Sequence, residues 1–535
     1  VANNDFTSFY SNIFLNYEKS FGRNHKLNST TGVNIINNVF EYDWALTKNA
    51  HENDEYKMIQ DGTPSLRELG GENRIWNWIS FYENISYTFK DKYLLSASIS
   101  LDGSSRIGDN ADNTIKIGEV PIGVFYAGGL GWRLSNESFL KNTSWLEELK
   151  LRATYGKTGN DDIGETNALN YYKSIKFRET VGLYPATVSN DRLTYETVSQ
   201  FNLGVDVAVL GDRLKASFDI FNSTSDNMLI YSPLESYFGY DYRPENGGKL
   251  SNKGWELNTF LRIIDGRSFK WDIQANISTS QNEILEIKGD KLITELEGAQ
   301  IVNMVGESAN SFYGYIYNGV YTTEAEAAAA GLINDRDVAY QAGDAIYSDL
   351  SGPGGVPDGV INDYDKTIIG SAAPEYYGGL LNSFRFKRWT LSTFVQFMTG
   401  NEIFNYLRYM NEQMTGFANQ STRILSRWQY EGQETDVPRA LWEDPIGNTD
   451  FSTRWIEDGS YMRIKNITLS YTIPDEFLAF KNAEFYVSAN NVFTLSEYLG
   501  YDPEFSYSYS QIDQGIDYGL TPQPRQFIIG IKLGL

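Results

Sequence analysis

The feature that most constrains this chain is an alternation of apolar and polar residues with a period of two. In 84–89, Ile85, Tyr87 and Phe89 alternate with Asn84, Ser86 and Thr88. In 94–102, Leu95, Ala97, Ile99 and Leu101 alternate with Ser96, Ser98, Ser100 and Asp102. The same pattern runs through 214–220, 271–277 and 466–473. Successive side chains of a strand point to opposite faces, so each segment predicts a strand with one apolar and one polar face. Roughly sixteen such segments are visible, many near the 9–11 residues with which a tilted strand crosses a bilayer.

Alternation alone fits a soluble sandwich as well as a membrane barrel, because only the direction of the apolar face differs. The connections separate the two. Lys90-Asp91-Lys92, Gly211-Asp212-Arg213, Asp265-Gly266-Arg267-Ser268 and Lys387-Arg388 are very short. Between them lie long polar stretches near 102–122, 156–198, 222–252, 280–312, 400–458 and 496–522. Short periplasmic turns alternating with long extracellular loops are the habit of outer-membrane barrels. The fold class read from these features is all-β, a large antiparallel transmembrane β-barrel. The last segment agrees: Phe527, Ile529, Ile531 and Leu533 alternate with Ile528, Gly530, Lys532 and Gly534 up to the final Leu535, as a closing strand would. The short turns are rich in Lys and Arg, while the long loops carry much of the acid.

Composition removes other function classes. The net charge of −24 argues against nucleic acid, whose phosphates need a basic surface. Cysteine is absent, and the two histidines are His25 and His51, so thiol chemistry is excluded and a His-based catalytic or zinc site has little to build on. Aromatics make up 15 % of the chain and Tyr leads them, which suits membrane edges, where one end of a ring is apolar and the other wet. No run approaches the roughly 18 apolar residues of a membrane helix, but a closed barrel needs none. Val1 to Phe6 has no signal segment, so that end reads as processed or incomplete. One short helix is predicted from the capping-box spacing of Thr323 and Glu326 before Ala327–Ala330, with Gly331 as its stop.

Few residues suggest local chemistry. Asp358 to Asp365 resembles the second half of a calcium loop, with a turn glycine at Gly359 and carboxylates at Asp363 and Asp365. The first half is interrupted by 352–357; Asp349 and Ser351 could complete the oxygens only if that insertion bulges out. Asp349, Asp358, Asp363 and Asp365 are thus the candidate metal residues, and calcium the candidate cofactor; a plain solvated turn reads the same residues. Glu147-Glu148 and Asp161-Asp162 could be called the paired carboxylates of a glycosidase, but neighbours on a strand face opposite ways, so Glu147 and Glu148 cannot form one site, and both pairs read as solvated loop or strand-end charge. No catalytic residue is assigned, and no enzyme activity is expected. The pairs Gly70-Gly71, Gly128-Gly129 and Gly247-Gly248 read as strand bends or turns. Trp76, Trp78, Trp132, Trp255, Trp271 and Trp389 could stack on sugars or form an interface belt, and the belt reading is adopted.

At the level of motifs, "GIDYGLTPQPRQFIIGIKLGL" (515–535), "FYVSANNVFTLSEYLGYDPE" (485–504) and "WIEDGSYMRIKNITLSYTIP" (455–474) resemble blocks of the SusC/RagA family of TonB-dependent transporters. So do "LKLRATYGKTGNDDIG" (149–164), "GWRLSNESFL" (131–140), "DGSSRIGDN" (102–110) and "LTYETVSQFNLGVDVAVLGDRL" (193–214). The resemblance implies a plugged barrel of about 22 strands, of which residues 1–535 would be the C-terminal portion, with the plug, TonB box and early strands elsewhere. The first strand, near 7–19, and the last, 527–535, are then expected not to pair with each other. It also implies a terminal Phe where this chain has Leu535, so either a final residue is missing or the assembly signal is altered. As partners it implies a SusD-like lipoprotein lid, the TonB complex, outer-membrane lipid and a cargo of oligosaccharides or peptides, in the outer membrane of a Gram-negative, Bacteroidetes-like bacterium. A passive porin of similar architecture and a soluble carbohydrate-binding β protein are the rival readings.

Overall fold

The computed structural model describes residues 2–49, 58, 60, 62–169, 171–177, 180–185, 187–240, 242–474, 481–505 and 510–534; His51 and Leu535 lie outside them. One 16-stranded sheet dominates. Its main path runs in chain order through β1 (Ala2–Phe21), β2 (His25–Leu46), β3 (Glu68–Phe89), β4 (Tyr93–Ser104), β5 (Val120–Arg133), β6 (Leu146–Asn160), β7 (Glu196–Val209), β8 (Leu214–Pro233), β9 (Tyr242–Asp265), β10 (Phe269–Glu286), β11 (Tyr376–Phe386), β12 (Trp389–Thr399), β13 (Tyr461–Thr472), β14 (Lys481–Ser496) and β15 (Gln526–Gly534). Ile115–Ile117 pairs with β5 off this path. β1 and β15 stand at the two ends of the order, each with one neighbour. Several strands run well beyond the 9–11 residues the alternation suggests: β9 has 24 residues and β2 and β3 have 22 each.

Register keeps the two faces apart. Tyr87, Leu95 and Leu130 are successive partners, as are Ile85, Ala97 and Gly128; Phe485 meets Ile531 and Val487 meets Ile529. A one-residue slip would turn every one of these to the other face. The apolar face is the exposed one. Phe527 (79 %), Ile529 (72 %) and Ile531 (63 %) lie open, as do Leu95, Ala97 and Ile99, while Leu101 is half-buried. On the opposite face Ser98 and Ser100 are half-buried, and polar groups join across strands: Asn466 Nδ2 donates to Ser488 Oγ and Asn490 Oδ1, both at 2.7 Å. This is the inverse of a soluble core.

The chain divides into two compact units: Val1–Ser144, Glu148–Val205 and Phe221–Ser251 form one, and Trp145–Glu147, Asp206–Ile220 and Asn252–Leu535 the other. In the first, a loop core gathers Ile107, Phe125, Ile163, Leu193 and Tyr195. In the second, the long connections fold into an ordered layer of their own. Lys291–Leu296, Ala299–Met304, Ser311–Gly314 and Thr367–Ser371 make a four-stranded sheet, and Phe312, Phe404, Phe451, Trp455 and Ile516 pack beneath it. Helix α1 (Glu324–Ala330) forms where the capping residues place it. Thr323 Oγ1 accepts from the Glu326 N–H at 3.1 Å, and Gly331 ends the helix at φ 64°. Helix α2 (Tyr406–Glu412) is equally short. Among the described residues no helix is long and apolar enough to cross a membrane.

The glycine pairs are not turns. Gly70-Gly71, Gly128-Gly129 and Gly247-Gly248 lie inside β3, β5 and β9. At Gly70 a Cβ would collide with the Trp44 indole, so the glycine clears room for a cross-strand ring.

The exposed apolar face generates a test. In the full-length receptor in lipid, Ile99→Arg is expected to cost about 2–4 kcal/mol of unfolding free energy. Ser98→Arg, on the other face, is expected to cost less than about 1 kcal/mol. Unfolding from vesicles in denaturant reads both; equal costs would contradict the assignment of faces.

Candidate functional site

The folded loop layer of the second unit holds a polar cleft of ≈ 330 Å³. One wall comes from Ala299–Met304 and Tyr315, another from the parallel pair Ile333–Asn334 and Val360–Ile361, and the floor from 444–451. Two loop ties fix its shape. Asp444 accepts from the N–H groups of Gly447, Asn448 and Thr449 and from the Thr449 hydroxyl. Asn334 accepts from the N–H groups of Arg336 and Val338 and donates to the carbonyl of Pro445 at 3.1 Å. The lining carries Asp335, Asp363, Asp444 and Asp450 against Arg336 and Lys366, with Tyr315, Tyr340 and Tyr409 as ring faces. Lys366 pairs with Asp363 at 2.7 Å and stands 5.3 Å over the Tyr315 ring.

Asp450 has no such tie. Water reaches its carboxylate through the cleft mouth, yet protein surrounds it on the other sides, and among the described residues it accepts no hydrogen bond. Loss of solvation, reinforced by the Asp444 carboxylate, pushes its pKa up to about 7. Burial likewise raises the Tyr315 and Tyr340 phenols, which stay protonated and can donate. The cleft thus offers several carboxylate acceptors, Asp450 among them with a raised pKa, together with phenol donors and ring faces. That set suits hydroxyls, amides or a cationic group.

The sequence-predicted metal residues are drawn together but already used. Asp365, fully buried, accepts at Oδ1 from the Leu350 and Ser351 N–H groups and at Oδ2 from that of Asn362. Asp349 accepts from the N–H groups of Asp358 and Gly359, and Asp358 from that of Val360. Asp363 holds Lys366. The insertion 352–357 does bulge out, yet each carboxylate serves the loop's own donors, so the set does not fit calcium as arranged. Among the described residues no group of three or more His, Cys, Asp or Glu side chains is placed to hold a metal ion.

Of the tryptophans, Trp132, Trp271 and Trp389 fit the interface belt: Tyr93 and Trp132 stack at 6.5 Å, Trp271 and Phe384 at 5.4 Å, and Trp389 meets Tyr471 at 4.8 Å, all beside short turns. Trp255 shares the apolar face with Phe218. Trp76 and Trp78 do not fit it. By register they share the polar face with Ser80 and Asp102. The Trp76 indole donates to Asp161 at 3.1 Å, and Arg106 lies 4.2 Å over its ring. Period two decides this, because Ile75, Ile79 and Phe81 occupy the other face. Glu147 and Glu148 are split as strand geometry requires: Glu147 accepts from the Gly211 N–H and Glu148 from Arg133, whereas Asp161 and Asp162, just past the end of β6, engage Trp76 and Arg106. His25 bonds Tyr87 at 2.6 Å within the aromatic belt. Sequence reasoning missed the Asp450 cleft, whose walls come from segments more than 100 residues apart, such as Asn334 and Pro445.

Two tests follow from these groups. A carboxyl raised above its ordinary 3.8 favours folding while protonated, and that advantage is lost as pH rises toward the raised value. Asp450→Asn is therefore expected to raise the melting temperature at about pH 8.5 and to change it little at about pH 4; equal shifts would exonerate the charge. Asp365→Ala, which strands three loop N–H groups, is expected to destabilise the loop layer by about 1–3 kcal/mol, with no rescue by calcium. A calcium-dependent recovery in hydrogen exchange of 345–365 would return a metal to this loop.

Comparison with known proteins places these features. Residues 2–492 match the family model described as TonB dependent receptor-like, beta-barrel. TonB-dependent receptor P3 of Formosa agariphila is 30 % identical over 548 aligned residues, covering 98 % of this chain and 52 % of that protein. TonB-dependent receptor SusC of Bacteroides thetaiotaomicron is 27 % identical, covering 85 % and 43 %. The chain spans about half the length of the curated relatives it matches. In fold it is similar to a chain of the RagAB peptide transporter, with a TM-score of 0.82 at 24 % identity over 99 % of this chain and 56 % of that one. With an antiparallel sheet apolar on its exposed face and matched over 2–492, the chain belongs to the TonB-dependent-receptor-like β-barrel family, proteins of the outer membrane.

Proposed function

We propose that this chain is the C-terminal barrel portion of an importer that takes large nutrients, oligosaccharides or peptides, across the outer membrane of a Bacteroidetes-like bacterium. The observation that carries this is the family match over 2–492; the exposed apolar face supports it and argues against a soluble carbohydrate-binding protein. In this reading a SusD-like lipoprotein covers the long loops, and TonB, reached through a plug outside residues 1–535, supplies the energy. The chain breaks no bond. The loop cleft with Asp450, Tyr315 and Tyr340 contributes polar contacts to cargo held under the lid. A plugged lumen offers no open aqueous path, so transport requires the plug to be remodelled.

The edges of β1 and β15 are completed, on this proposal, by strands from outside 1–535. An edge left open in hydrocarbon would strand backbone groups at several kcal/mol each.

In cells, the full-length receptor lacking its TonB box is expected to bind cargo and fail to import it; uptake that persists unchanged would favour a passive porin. Because the chain has no cysteine, strand closure is also testable. Ile13→Cys with Ile529→Cys in the full-length receptor is expected to stay uncross-linked under oxidation, whereas rapid disulfide formation would mean that β1 and β15 meet.

A further inference from the structure

The charge division between short and long connections has no role in the import reading, and the second unit gives it a geometry. Its short turns are stitched side by side: the Arg262 N–H donates to the Arg213 carbonyl at 2.7 Å, that of Lys387 to Ser268 at 2.8 Å, and that of Thr472 to Arg388 at 2.9 Å. Stretches 211–215, 265–270 and 385–388 contain seven basic and two acidic residues. The two acids are engaged by Lys215 and Lys270. Arg267, Lys387 and Arg388 are exposed and, among the described residues, pair with no carboxylate. In the same unit, the connection 287–375 carries fourteen acidic against four basic residues, so the row is not an echo of overall composition.

Depth is fixed by a second observation. The Trp271–Phe384 and Trp389–Tyr471 ring pairs lie on the apolar face within a few residues of these turns. Aromatic girdles sit where hydrocarbon gives way to headgroups, so the basic row stands at phosphate depth. Short turns are the periplasmic ones. The first unit, taken by itself, repeats the arrangement: the Lys90 N–H donates to Asn24 and that of Arg133 to Lys92, next to the His25–Phe89 ring pair at 4.8 Å.

We infer that the short-turn end binds the anionic phospholipid headgroups of the periplasmic leaflet, with Arg267, Lys387 and Arg388 as the phosphate contacts in the second unit. The inference rests on the outer-membrane reading but not on import. Charge complementarity and the adjoining girdle select a lipid rather than an acidic protein, which would need no girdle.

The test uses the full-length receptor reconstituted with equal amounts of phosphatidylglycerol and phosphatidylethanolamine, extracted with its lipid annulus, and the retained lipid counted by mass spectrometry. Phosphatidylglycerol is expected to be enriched several-fold, less so in high salt. In the combined variant Arg267→Gln, Lys387→Gln, Arg388→Gln the enrichment is expected to fall to well under half of the wild-type value, the basic residues of the first unit remaining in place. Arg423→Gln, an exposed loop change, should leave it unaltered. The single variants Arg267→Gln and Lys387→Gln, each expected to halve the enrichment or more, serve if the combined one fails to fold. Equal retention of the two lipids by the wild type, or enrichment that survives all the substitutions, overturns the inference. Cargo uptake plays no part in the readout, so failure of the import reading would show separately.

Discussion

Every backbone N–H and C=O that crosses hydrocarbon must find its partner in a neighbouring strand, because lipid supplies none. The rest of this structure follows from that constraint. Strands pair with their chain neighbours along nearly the whole path, which keeps connections short at one end and removes any need for crossovers. Lys90 and Asp91, both at positive φ, turn the chain within the three-residue connection between Phe89 and Tyr93, although neither is glycine. With the backbone satisfied by ladders, side chains are free to invert the soluble pattern. Apolar residues go out and polar ones bond across the other face.

The acid excess of the loops has in part a structural cause. Asp344, fully buried, takes a two-pronged bond from Arg439 at 2.7 and 3.0 Å and further bonds from Asn448 and the Gln341 N–H. Asp365 and Asp444 bind loop N–H groups in the same manner. A carboxylate with several donors can be buried where a lone one cannot. Long connections without regular structure have orphan backbone donors, and aspartates answer them. Asp450 differs: among the described residues its carboxylate accepts no such bond, and it lines the open cleft instead.

Much of the sheet is legible in the sequence, for a physical reason. Period two records which face each residue takes, so Leu95 and Ile99 could be assigned outward, and 323–331 reads as a helix with its caps, from residues within a few positions of one another. What was illegible depends on distant segments. The strands outrun the alternation because β2 and β3 continue beyond the apolar band as paired polar ribbon, through Asn73 and Glu41. The candidate calcium loop has the right residue types, but whether Asp365 faces an ion or the N–H of Leu350 is settled by how 349–351 folds back. Trp76 and Trp132 look alike as residues near strand ends; only the register of each shows that one stands over Arg106 and the other in the belt.

An exception on the apolar face shows how strictly the constraint acts. Glu83 shares that face with Phe81 and Ile85 and is paired across from Ile99 and Thr31. A carboxylate there would face lipid with nothing to bond. Ser29 Oγ donates to it at 2.6 Å and the Thr31 hydroxyl donates to its other oxygen. Both hydroxyls come from the adjacent strand, on the same face and in register, so the polar group carries its own donors into the apolar band. Shifting β2 by one residue against β3 would move Ser29 and Thr31 to the far side and leave Glu83 bare. The trio therefore penalises the wrong register in the same direction as the apolar pairs around it, and a residue that breaks the hydrophobic pattern still agrees with the fold.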